Sequence, residues 1–117
     1  MGAAHPMAAG RAAIAIAREL GLPRLKVAVL LGDDVRELVR TLDPVMPETG
    51  EPVSSLGERL VSVNAYLGAE SILDALRTGA DLVLTGRVAD PSLFVACLLH
   101  GLGWDAEDYS KLGQATK

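Results

Sequence analysis

The sequence predicts an α/β fold: a parallel three-layer, Rossmann-like sheet built from βα repeats, and incomplete. Three observations predict it. Short apolar runs alternate with stretches of helical periodicity, the order of a parallel sheet with right-handed crossovers. The best of these runs are nearly all apolar, as in strands covered on both faces. Each run also stops abruptly at a polar loop. Residues 26–31 end in Gly32-Asp33-Asp34, residues 60–63 in Asn64-Ala65-Tyr66, and residues 81–85 in Gly86-Arg87-Val88-Ala89-Asp90-Pro91-Ser92. In an open α/β sheet, ligands bind outside the carboxyl ends of the strands. The three loops therefore outline one candidate site.

The elements follow in order. Residues 7–20 place Ala13, Ile16, Ala17 and Leu20 at helical spacing, with Gly21 as the stop and Pro23 just beyond. The first strand is Lys26-Val27-Ala28-Val29-Leu30-Leu31. Asp33 or Asp34 is placed to cap a helix over residues 35–41, with Val35, Leu38, Val39 and Leu42 facing inward. Residues 43–57 hold Pro44, Pro47, Gly50, Pro52, Ser54, Ser55 and Gly57, and form a long loop. Leu60-Val61-Ser62-Val63 is the second strand. A helix over residues 69–78 carries Ile72, Leu73, Ala75 and Leu76 and ends at Gly79. Residues 81–85 are the third strand. The helix over residues 91–100 is apolar nearly all round, which predicts burial on more than one side. The tail after Trp104 forms no element of its own. One domain spans residues 1–117, with fewer strands than its last helix needs.

Composition narrows the function. The chain has 117 residues, half hydrophobic and 22% charged, a globular balance. Only 3% are aromatic, so Ala, Leu and Val must build the core. A net charge of −4 and the lack of a basic cluster interleaved with aromatics argue against nucleic-acid binding. No apolar run reaches the ~20 residues of a membrane span. Arg11, Arg18 and Glu19 interrupt the alanine-rich start, so it does not read as a secretory signal. The single Cys97 precludes an internal disulfide and fits a reducing, cytoplasmic setting.

Asn64-Ala65-Tyr66-Leu67-Gly68-Ala69-Glu70, Thr78-Gly79-Ala80-Asp81, Thr85-Gly86-Arg87-Val88-Ala89-Asp90-Pro91-Ser92-Leu93 and Gly103-Trp104 occur in that order. This series resembles the acyclic terpene utilisation (AtuA-type) protein family. Its members carry an N-A-Y-L-G-A segment, an A-G-A-D turn and a T-G-R-V-x-D-x-S loop. The likeness is strongest over residues 60–104 and looser over residues 1–40. It implies a chain several times longer than this one, and hence a fragment here. It also makes Gly113-Gln114-Ala115-Thr116 the start of a further family segment. The resemblance implies a part in breakdown of acyclic terpenes such as citronellol and geraniol, through acyl-CoA intermediates. It carries over no reaction, cofactor or catalytic residue, only motif positions.

The candidate ligand-binding residues are Asn64, Tyr66, Thr85, Gly86, Arg87 and Asp90. Arg87, in a glycine-flanked loop at a strand end, suits bidentate binding of a carboxylate or phosphate. The alternative is a salt bridge to Asp90 or Asp81. Gly86 supplies a backbone conformation or close approach that a side chain would prevent. Asn64 can donate and accept, or can simply bond its own turn. Tyr66 lines a pocket or, as the preferred reading, covers the sheet edge. Asp90 before Pro91 is a helix cap first and a catalytic group second. Asp33 and Asp34 are read as a cap plus a solvated charge rather than a metal pair. Cys97 is a buried small hydrophobe, and His100 suits a helix C-terminus. With His5 and His100 the only histidines, no metal site is recognisable. Both common phosphate-loop signatures are absent.

Three functions compete. The first is a piece of a metabolic enzyme binding a small anionic metabolite, an acyl-CoA or a carboxylate, through Arg87, Thr85 and Asn64. The second is a non-catalytic binding or assembly subunit of the same family. It would supply one half of a partner site, completed by another copy or by the missing remainder of the chain. The third, a receiver-like signalling domain, ranks last. Asn64 stands where an aspartate should end a middle strand, and no lysine ends a final strand.

Overall fold

A computed structural model describes residues 5–115. The elements are α1 (Pro6–Glu19), β1 (Val27–Leu30), α2 (Arg36–Leu42), a 3-10 helix (Val53–Arg59), α3 (Ala69–Arg77), β2 (Leu82–Thr85), α4 (Ser92–Leu102) and α5 (Tyr109–Ala115). The mixed α/β class holds. The sheet has two strands, β1 and β2, paired in parallel from Val27 opposite Leu82 to Leu30 opposite Thr85. The wider three-layer sheet is not formed among the described residues.

Side chains alternate across a strand, and this places the helices. Val29 faces α1 so closely that a Cβ on Gly10 would lie 2.6 Å from its Cγ2. Leu30, pointing the other way, packs with Ile72 of α3, Val88 and Ala96 of α4. Val88 has no solvent exposure and sits where Leu67 pairs with it in a short parallel bridge. Deleting two buried methyls there should cost about 2 kcal/mol. Urea unfolding of Val88→Ala measures this, and an unchanged midpoint would contradict the packing described.

Several expectations need correction. Residues 60–63 do not form a strand. Val63 accepts a hydrogen bond from the amide of Val35 at 3.0 Å, but Val61 and Ser62 make no backbone hydrogen bond among the described residues. Val61 is 78% exposed. An apolar run becomes a strand only beside a ladder partner, and β1 and β2 pair with each other instead. In α2, Leu38 and Leu42 are exposed, while Val39 and the preceding Val35 are half-buried.

The helix α4 is not buried all round either. Val95, Ala96 and Leu99 point inward, whereas Phe94 is 72% exposed and Leu102 and Cys97 also face solvent. Cys97 is therefore not a core residue. The tail does form an element. Leu112 and Ala115 of α5, with Trp104, pack on Leu73, Val95 and Leu99. Of residues 113–116, Thr116 lies outside the described residues.

Residues 43–57 are a loop with internal structure. Asp43 takes a left-handed conformation at the end of α2, and its carboxylate accepts from the amide and hydroxyl of Ser54 at 2.7 and 2.8 Å. Val45 and Pro52 bridge across the loop.

Candidate functional site

The polar loops at the three predicted strand ends do meet, and one residue joins them. Gly32, at a φ of +113°, turns the chain out of β1, a conformation that side chains rarely adopt. Asp33 then points inward and is only 7% exposed. Its Oδ2 accepts from the side-chain amide of Asn64 at 2.9 Å and from the backbone amide of Arg87 at 2.7 Å. The backbone reinforces the junction. The amide of Ala65 donates to the Asp33 carbonyl at 2.7 Å. The amide of Leu67 donates to the Arg87 carbonyl, and that of Ala89 to the Leu67 carbonyl, at 3.3 and 3.0 Å. A buried carboxylate must find donors in place of water. Here the donors come from two separate loops, so its solvation and the assembly of the site are one event.

Gly86 is where the close approach occurs. A Cβ built on it would overlap all three atoms of the Asp33 carboxylate group. The requirement is for space rather than for a special φ, since Gly86 is not among the positive-φ glycines. The expectation that the pair is a helix cap plus a solvated charge thus fails at Asp33, which is buried and bonded to other loops. Asp34 is the exposed one of the pair, and its Oδ1 accepts from the Arg36 amide at the start of α2 at 3.2 Å. Arg36 also forms an ion pair with it at 2.7 Å. The hydrogen bond from the Arg36 guanidinium holds the Asp34 carboxyl below the ordinary carboxylate range and raises Arg36 in turn.

The candidate residues fall into three groups. Tyr66 and Arg87 are together. The guanidinium lies over the exposed ring, 5.1 Å from its centroid, a cation–π contact. No carboxylate pairs with Arg87 among the described residues. Asp81, one expected partner, instead accepts from the Lys26 amide at 2.8 Å. Thr85 and Gly86 form the second group, both buried: Thr85 ends β2 opposite Leu30, and Gly86 lies against the Asp33 carboxylate. Asn64 bridges from this cluster to a cleft of about 570 Å³ between the start of α1, the end of β1 and residues 61–64. Asp90 stands apart. It is exposed, and no side chain caps α4, so the expected cap is absent. The helix instead starts from a turn in which the Ser92 amide donates to the Ala89 carbonyl at 2.9 Å.

Sequence reasoning missed Asp33. The signal was present as two features far apart in the chain: a carboxylate directly after a strand-ending glycine, and a second strand-ending glycine at Gly86. Only the pairing of β1 with β2 puts them in contact. Among the described residues, no group of three or more His, Cys, Asp or Glu is placed to hold a metal. No described helix is long and apolar enough to cross a membrane.

Comparison with known proteins bears on this geometry. The acyclic terpene utilisation family protein AtuA matches residues 1–117, the whole chain. The chain belongs to the AtuA family. Its curated relatives include a 3-isopropylmalate dehydrogenase of Mycolicibacterium gilvum (strain PYR-GCK), 35% identical over 83 residues, covering 67% of this chain and 24% of the relative. A protein of the same name from Mycobacterium avium (strain 104) is 32% identical over the same shares. The chain thus spans about a quarter of the length of these relatives. No solved structure matches it. The segments on which the sequence resemblance rests meet at the junction: Asn64 and Tyr66 lie in one, Thr85, Gly86 and Arg87 in another.

Proposed function

We propose that this AtuA-family chain binds a small anionic ligand, a carboxylate or an acyl-CoA, at the joined loop edge, in the service of acyclic terpene utilisation. The observation that carries this is Arg87. Its guanidinium has no acidic partner among the described residues, and it rests on the face of Tyr66. A guanidinium held over a ring face and not in an ion pair has N–H donors to offer a bidentate carboxylate or phosphate. Asp33 holds the Arg87 backbone and the Asn64 amide, which limits the reorganisation that binding would need. Thr85, Gly86 and Asn64 act in this reading by shaping and fixing the edge, and Asp90 takes no part.

The expected result in a thermal-shift titration is a rise in Tm with butyryl-CoA and a smaller one with butyrate. The rise grows with ligand concentration by mass action. Arg87→Ala should abolish both rises while leaving the unliganded Tm within a degree or two. Equal shifts in wild type and Arg87→Ala would refute the reading. A second reading, a binding or assembly role without catalysis, draws on the apolar surface of α4, where Phe94 and Leu102 stand in solvent. Such surface commonly marks a contact with another protein.

A further inference from the structure

The Asp33 carboxylate has a second oxygen that the anion site does not use. Oδ2 accepts both donors, and among the described residues Oδ1 accepts none. Among the described residues no sealed side-chain oxygen lacks a partner, so Oδ1, which lies against Gly86, keeps some contact with solvent. Asp33 also lines the 570 Å³ cleft, a volume within the range of small-molecule sites.

The polar wall of the cleft is made by His5, whose Nδ1 accepts from the Ala8 amide, and by Asp33, Asp34, Arg36, Ser62 and Asn64. Asn64 spends its amide N–H on Asp33, which leaves its carbonyl oxygen as an acceptor. Asp34 is neutralised by Arg36 at 2.7 Å, and Arg36 is occupied by it. Asp33 has no cation in an ion pair among the described residues. A buried carboxylate without a paired cation is a costly arrangement, and a cationic donor would relieve it. Met7, Leu31 and Val61 give the same cleft an apolar flank.

We infer that this cleft binds a ligand whose head donates hydrogen bonds to Asp33 Oδ1, an ammonium in preference to a hydroxyl, on a short apolar stem. The site is separate from the anion edge at Arg87 and does not depend on it. Asp33 stands between the two: its Oδ2 holds the Arg87 amide, and the residue also lines the cleft.

The test is an amide-resolved NMR titration of the chain at constant ionic strength with n-butylammonium, n-butanol and butyrate. n-Butylammonium should give saturable shifts at the Asn64 side-chain amide and at the amides of residues 33–36. Charge-assisted hydrogen bonds are about twice as strong as neutral ones, so n-butanol should need roughly ten-fold higher concentration. Butyrate should leave these signals in place. Val61→Trp, at an exposed position away from the Asp33 contacts, should weaken n-butylammonium binding about ten-fold by filling the cleft. Arg87→Ala should leave it unchanged, which separates this site from the anion edge. The inference is overturned if no probe saturates, if butyrate matches n-butylammonium at these residues, or if Val61→Trp binds as well as wild type.

Discussion

Gly86→Ala is expected to destabilise the chain by about 3 kcal/mol, although it adds only a methyl group. The methyl would occupy the space of the Asp33 carboxylate. Overpacking a tight contact costs about 1–3 kcal/mol by itself. Here the displaced group is also the acceptor for the Arg87 amide and the Asn64 side chain. Moving it strands buried donors, at about 1–3 kcal/mol each. Urea unfolding of Gly86→Ala measures the loss, and a variant as stable as wild type would mean that Asp33 does not lie against Gly86.

Asp33→Ala should cost a similar amount, about 3 kcal/mol, for a complementary reason. It removes the acceptor and leaves the Arg87 amide and the Asn64 amide unpaired in a half-buried junction. Asp33→Asn should cost about half of that, because its carbonyl can still accept while the charge assistance is lost. The two sites also make a diagnostic pair. In an Asp33→Ala background, the atoms that the methyl added by Gly86→Ala would meet are gone. The double variant should therefore lose much less than the summed single losses, a coupling expected only of groups in contact. Strict additivity would contradict the junction as described.

The parts of the fold that local rules govern were legible in the sequence. The helix at residues 6–19 has its apolar spacing and its glycine stop, and α3 likewise ends where Gly79 takes a φ of +74°. The strands at 27–30 and 82–85 are apolar runs bounded by turns. What failed depended on partners. Leu60 to Val63 has a strand's composition, but pairing is a property of two segments, and among the described residues its only partner is the single antiparallel bridge of Asn64 to Asp34 at its end. The apolar circumference of α4 forecast burial, yet only one side meets α3 and α5. Cys97 followed the same error. The tail was missed because its helix is short and draws its stability from Trp104 and Leu73 rather than from its own pattern.

The site was legible at the level of loops and not of roles. Strand ends converge in this fold class, so Asn64, Thr85 and Arg87 could be grouped before any contact was known. The identity of the residue at the centre could not be read, because two adjacent aspartates look alike in sequence. Their fates diverge through geometry. Asp33 follows Gly32 inward to meet Gly86, while Asp34 turns out to Arg36. The stacking of Arg87 on Tyr66 depends likewise on the Leu67–Val88 bridge, which sets the register of the two loops.

The most direct measurement is a calorimetric titration of butyryl-CoA into wild-type chain and into Arg87→Ala, with circular dichroism showing the same fold in both. If Arg87 is the anion contact, wild type gives a saturable isotherm and the variant binds at least about ten-fold more weakly, the loss of a charge-assisted bidentate contact. The same dissociation constant in both proteins would contradict it.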